Sequence, residues 1–175
     1  MKLYALQGKG GRGKTTTLKL LFIKILKTYG SRASVIWSDP MFLTPQAVNE
    51  QLTAERTSRA ARTEYEVPEI SAVIKIDETL IGICTGGGSE EEVKYALSVF
   101  KGKFTSGKAC HTGFCAVLSK GATPAVVDGV KRSEKIQKAC LEDCAGYPDF
   151  DKLIDKLNDW QAEELLQKVQ AVVAP

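Results

Sequence analysis

Nine consecutive residues near the start of the chain have the types and spacing needed for phosphate chemistry. Gly8-Lys9-Gly10-Gly11-Arg12-Gly13-Lys14-Thr15-Thr16 satisfies the pattern G-x-x-x-x-G-K-[ST] at every fixed position. Glycines reach backbone angles closed to residues with a side chain. Their bare N–H groups can then converge on phosphate oxygens. A helix starting at such a loop aims its positive dipole end at the same place. Lys14 would reach the β and γ phosphates as a point charge, and the Thr15 hydroxyl suits magnesium. The expected ligand is a nucleoside triphosphate, ATP with Mg2+, gripped from Gly8 to Thr16.

The flanking segments are those this mechanism demands. Lys2 to Leu6 is a short apolar run that stops at the glycines, which reads as a buried parallel strand. Leu18, Leu21, Phe22, Ile25 and Leu26 then follow the i, i+3, i+4, i+7, i+8 rule of one helix face, with Gly30 as its C-cap.

Further along, Ala33 to Trp37 reads as a second strand ended by Asp39-Pro40, and Thr44 to Arg62 as a polar helix. Ala72 to Ile76 and Leu80 to Cys84 are apolar runs flanking Asp77-Glu78-Thr79. They make a hairpin or two successive strands. Ser89 and Glu92 form a capping box after Gly86-Gly87-Gly88, with Val93, Ala96, Leu97 and Phe100 on the buried stripe of the helix. Phe114 to Leu118 is another strand, and Thr123-Pro124 starts a helix. A last helix begins near Asp149, with Phe150, Leu153, Ile154 and Leu157 expected inside. Strands alternating with helices predict an α/β three-layer sandwich, and the Gly8–Thr15 motif makes the expected type that of the P-loop NTPases. A mostly parallel central sheet is covered on both faces, all in one domain over residues 1–175.

Magnesium bound to a nucleotide usually needs a carboxylate from a second strand. Asp39 at the end of the second strand is the chosen partner of Thr15. Asp77 is the competing acid, better read as part of a polar hairpin turn because an apolar strand resumes at Leu80. Glu90, Glu91 and Glu92 neutralise the helix end behind the Gly86–Gly88 loop, so that loop reads as a turn or a flexible wall of the same site.

Gly8 to Thr16 resembles the deviant phosphate loop of the chromosome-partitioning and division-site ATPases. That family carries a second lysine early in the loop, here Lys9, which reaches across a nucleotide-sandwiched homodimer to the partner's phosphates. The resemblance implies a trans-acting catalytic role for Lys9. The other reading is a variable loop position with a useful charge. The family's second motif, a strand ending in D-x-D-P, is matched by Trp37-Ser38-Asp39-Pro40 with tryptophan at the first aspartate, a residue that helps activate water in the family. The resemblance covers little beyond the first forty residues. Small nucleotide-kinase-like and prophage-type P-loop proteins have similar Gly-Lys-Thr-Thr-Thr-Leu openings.

Three functions compete on these residues. They are an ATPase switch, a phosphotransferase with Arg56, Arg59 and Arg62 as a lid, and a nucleotide-binding module without turnover. For the arginines a solvated helix face is the better reading. Cys110, His111, Cys115, Cys140 and Cys144 lack zinc-knuckle spacing, so buried reduced thiols are expected. Ser119-Lys120-Gly121 is a guess for the border of the base, and Trp160 and Tyr147 read as packing residues.

Composition sets the outer bounds. The 175 residues are 43% hydrophobic and 26% charged, ordinary for a globular domain that needs no disulfide or metal staple. Net charge is +3, too little to indicate nucleic acid, but its distribution is uneven. Eight basic and no acidic residues precede Asp39, which favours an anion at that end. Solvated helix faces suffice for Lys19, Lys24 and Lys27. No membrane span or secretory segment is evident, and a cytoplasmic location is expected.

Overall fold

The computed structural model describes residues 1–11, 13–61, 63, 67–140 and 149–173. The N-terminal run is strand β1 (Lys2–Gln7), in which Leu3 and Ala5 face one side of the sheet and Tyr4 and Leu6 the other. All four are buried, as a strand covered on both faces requires. The glycine loop leads into α1 (Lys14–Tyr29), ended by Gly30 at φ 51°, whose N–H returns to the Leu26 carbonyl. Then come β2 (Ala33–Asp39), α2 (Pro45–Ala61), β3 (Ser71–Ile76) and β4 (Thr79–Cys84). The chain continues through α3 (Glu90–Phe100), β5 (Thr112–Val117), α4 (Ala122–Asp128), β6 (Ser133–Gln137) and α5 (Phe150–Gln170).

The molecule is α/β, with one six-stranded sheet in the order β2-β3-β4-β5-β1-β6. β1 lies between β5 and β6 and is parallel to both, and β4 is parallel to β5. β3 is antiparallel to both of its neighbours, so it alone runs against the other strands. The sheet is therefore mostly parallel, and Asp77-Glu78 is the hairpin turn. Helices α1, α2 and α5 bury their apolar stripes against one face, around Phe22, Leu52 and Leu165. Helices α3 and α4 cover the other, around Val93, Phe100 and Val127.

Phe100 lies against a notch cut by two paired glycines. A Cβ at Gly82 would come within 2.3 Å of its ring and one at Gly113 within 2.5 Å, and the two glycines face each other in the β4–β5 register. The Ser89–Glu92 capping box at the start of α3 is formed as expected, with Glu92 N–H donating to Ser89 Oγ and Ser89 N–H to Glu92 Oε2.

Three expectations need correction, and one strand has no counterpart among them. Strand β6 has no apolar run, because it is an edge strand in which two of five residues are exposed and none is buried. The inner face of α5 is Asn158, Gln161, Ala162, Leu165, Leu166 and Val169, while Leu153 is 45% exposed. α5 meets α1 along its C-terminal half, so the stripe that packs starts later than its first apolar residues suggest. Trp160 is 54% exposed and is not a packing residue. Lys19 is fully buried, not solvated. Arg12, Arg62, Cys144 and Tyr147 lie outside the described residues.

Candidate functional site

Five strands end at the same edge of the sheet, and the loop after β1 sits there between the ends of β5 and β6. The loop is tied to both neighbours, since Gly8 N–H donates to the Val117 carbonyl and Lys138 N–H to the Gln7 carbonyl. Gly11 at φ 67° and Gly13 at φ 75° take the left-handed turn that β-carbons resist. Gly13 also has no room for a side chain, because a Cβ there would lie 2.7 Å from Asn158 Oδ1. Among the described residues, the amides of Lys9, Gly10, Gly11 and Gly13 donate to no protein acceptor. They are bare donors beside the N-terminus of a sixteen-residue helix.

Lys14 is folded back into its own loop. Its Nζ donates to the carbonyls of Gly8 at 2.9 Å and Lys9 at 2.8 Å. Burial lowers its pKa and the nearby Glu69 carboxylate opposes that shift. The ammonium is thus held by neutral oxygens at a place suited to an anion. Lys9 is exposed.

A cleft of about 330 Å³ opens over the loop. Lys14, Thr15 and Thr16 form its floor, Gly87, Gly88 and Ala116 one wall, and Glu55 and Glu69 its acidic side. Gly87 and Gly88 are therefore a wall of the cleft, though not the flexible one the sequence suggests. Gly87 is fixed there, since a Cβ would lie 1.9 Å from the Ala116 carbonyl oxygen.

Asp39 does not join this cleft. It ends β2, which lies four strands from β1, about 19 Å at the usual strand spacing. It lines a neighbouring pocket of about 380 Å³ with Glu69, Glu91, Glu92 and Tyr95, whose hydroxyl donates to Asp39 Oδ2 at 3.4 Å. Asp77 is further removed, at the opposite edge of the sheet, where Arg32 pairs with it at 2.6 Å. The carboxylate that does reach the cleft from the sheet is Glu69. The reversal of β3 brings the residue before it to the edge where the other strands end. The Thr85 hydroxyl donates to Glu69 at 3.3 Å. Desolvation and the neighbouring Glu92 raise the Glu69 pKa, and Thr85, Lys19 and Lys14 hold it back.

Glu55 comes from α2 and was not singled out in the sequence. Its Oε1 accepts the Thr16 hydroxyl at 2.7 Å, while its Oε2 is enclosed without a partner. Beneath it lies Lys19, whose Nζ is also enclosed and unpaired. Desolvation lowers the Lys19 pKa to about 8, against the pull of Glu55 and Glu69. On the other side of the loop, Lys138 is only 3% exposed. Its Nζ donates to the Ala139 carbonyl, and desolvation, with Lys14 nearby, lowers its pKa to about 8.

The remaining expected groups lie elsewhere or are engaged. Arg56 pairs with Asp155 at 3.2 Å, and Arg59 bridges Asp151 at 2.9 Å and Asp155 at 2.6 Å, so both clamp α2 to α5. Cys84, Cys110 and Cys115 are buried, and Cys140 is exposed. Among the described residues no cluster of metal-ligating side chains occurs. His111 sits before β5, at the edge remote from the loop, and accepts the Leu80 N–H through Nδ1. Leu118 borders the cleft, just before Ser119-Lys120-Gly121. No helix among the described residues is long and apolar enough to cross a membrane.

No family model matches the chain, and no curated protein or solved structure is significantly similar to it.

Proposed function

We propose that this chain is a P-loop protein that binds a nucleoside triphosphate, ATP with Mg2+, and hydrolyses it as a switch. One observation carries the reading: the Lys14 ammonium is parked on two loop carbonyls beside a row of bare amides at a helix N-terminus. A triphosphate tail would draw that ammonium off the carbonyls and take up the amides. The donor set suits magnesium, a hard cation that takes oxygen ligands and keeps several waters. The Thr15 hydroxyl and the Glu69 carboxylate would hold it with the phosphate oxygens, and Glu69 replaces Asp39 in that role. The ion would neutralise charge on the transferring phosphoryl group. Exposed Lys9 is free to reach a second copy, as the resemblance to the partitioning ATPases implies.

The test is calorimetry of ATP and GTP with and without magnesium, on the native chain and on Lys14→Ala. Loss of a charge-assisted contact should cost about ten- to a hundredfold in affinity. Absence of magnesium-dependent binding to the native chain would overturn the proposal. A shift from monomer to dimer with a hydrolysis-resistant analogue tests the role of Lys9.

A phosphotransferase is the second reading, favoured by the acidic pocket that shares Glu69 with the cleft. It would receive a phosphoryl acceptor beside the γ-phosphate. Slow hydrolysis alone, with transfer to an added acceptor, would select it over the switch.

A further inference from the structure

A second space adjoins the phosphate cleft. Behind Gly11 and Gly13 a cavity of about 170 Å³ opens between the loop, the end of β6 and the first turns of α5. Gly11, Gly13 and Glu55 line both spaces, so the two adjoin at the loop. The two spaces differ in chemistry. The cleft is lined mainly by glycines, hydroxyls and two carboxylates, whereas the cavity sets Phe150, Ile154 and Leu157 beside the charged Glu55, Arg59 and Lys138.

Two buried residues that carry nitrogen donors, Lys138 and Asn158, belong to that lining. Asn158 Oδ1 accepts the Thr17 hydroxyl at 3.3 Å, which turns its NH2 the other way. That NH2 is enclosed and has no partner, an expensive state for a buried amide. At the junction of the two spaces, Glu55 has one oxygen on Thr16 and the other unused. Apolar walls suit the faces of a heterocycle, N–H donors suit its ring nitrogens or carbonyls, and a carboxylate suits vicinal hydroxyls. The pocket on the opposite side of the cleft offers four carboxylates and no such donors, so it is the poorer place for a base.

We propose that this cavity is the nucleoside subsite. The base lies against Phe150, Ile154 and Leu157 within reach of Lys138 and Asn158, and the ribose hydroxyls donate to Glu55. The inference rests on the phosphate-loop reading and adds the direction in which the nucleotide leaves the loop.

The experiment compares magnesium-dependent affinities for ATP, 2′,3′-dideoxy-ATP and inorganic tripolyphosphate by calorimetry. Native protein should bind ATP at least about tenfold more tightly than tripolyphosphate, and removal of the two hydroxyls should forfeit part of that margin. Leu157→Trp, which fills the cavity, should abolish the margin while tripolyphosphate binds as before. Glu55→Gln should bring ATP down to the level of its dideoxy analogue. Equal affinity for ATP and tripolyphosphate, or a margin that survives Leu157→Trp, would overturn the subsite while leaving the phosphate loop intact. Failure of tripolyphosphate itself to bind would remove the loop reading and the subsite together. If Leu157→Trp fails to fold, the dideoxy comparison on native protein still decides, because equal binding of ATP and its dideoxy form removes the Glu55 contact.

Discussion

The Thr16 hydroxyl donates to Glu55 Oε1 across 2.7 Å, joining the first turn of α1 to the middle of α2. The bond spans 39 residues of sequence and sets a carboxylate over the buried Lys19. It makes α2, a polar helix with few apolar residues, part of the wall of the cleft over the glycine loop.

The carboxylate proposed to assist a metal is the first point on which residues can be separated. Glu69→Gln should weaken the magnesium dependence of nucleotide binding several-fold, whereas Asp39→Asn should leave it unchanged. Calorimetric titrations with and without the ion read both. An effect of Asp39→Asn as large as that of Glu69→Gln would restore the edge strand to the site.

Lys19 makes stability depend on pH. Its folded pKa, about 8, lies below its ordinary value of 10.5. Between those values the unfolded chain binds more protons, so this group makes folding more favourable as pH rises from about 8 to 10.5, and below 8 its full cost remains. Lys19→Met should therefore stabilise the chain at pH 7 by about 2–3 kcal/mol. That advantage should shrink by pH 10. Urea titrations at the two pH values provide the check, and a destabilised variant at pH 7 would show that Glu55 and Glu69 outweigh the burial.

The glycine notch predicts a packing effect. Gly82→Ala or Gly113→Ala would drive a methyl group into the Phe100 ring and should cost about 1–3 kcal/mol. Phe100→Ala should cost about 3–5 kcal/mol by leaving a cavity. Thermal melts measure all three. Partial recovery in a Gly82→Ala, Phe100→Leu double variant would identify the ring as the cause.

Thiol reactivity should divide by burial. Burial pushes the Cys84 and Cys110 thiols up to about 12, with Cys115 raised as well, so none of the three offers a thiolate near neutrality. A thiol reagent at pH 8 should label Cys140 in the native chain and reach these three only after unfolding. Labelling rates followed by mass spectrometry, unchanged by a metal chelator, would complete the picture of reduced structural cysteines.

The parts of this molecule written locally were legible in the sequence. The loop after β1, the stripe of α1, the cap at Gly30 and the capping box of α3 each depend on residues within one or two turns of one another. The hairpin through Asp77 was one of two readings, and its apolar flanks carried it. Strand order is a different kind of information. Asp39 and Glu69 each adjoin a strand, and nothing near either residue tells which strand neighbours β1. β6 was missed because an edge strand such as Ser133–Gln137 needs no apolar run. Lys19 reads as a solvated position because a helix pattern does not reveal that α2 covers it. Glu55 was invisible for the same reason, since its role comes from a contact with Thr16 that only the tertiary packing creates.

Gly87 lies so near the carbonyl of Ala116 that no substituent fits between them. The span of the opening on that side is therefore gauged by main chain against main chain, with no rotamer free to widen or narrow it. A saturation library at this codon should come back almost monomorphic. Altered ligand size should arise instead from changes across the gap, at Glu55 or Glu69, where side chains form the other jaw.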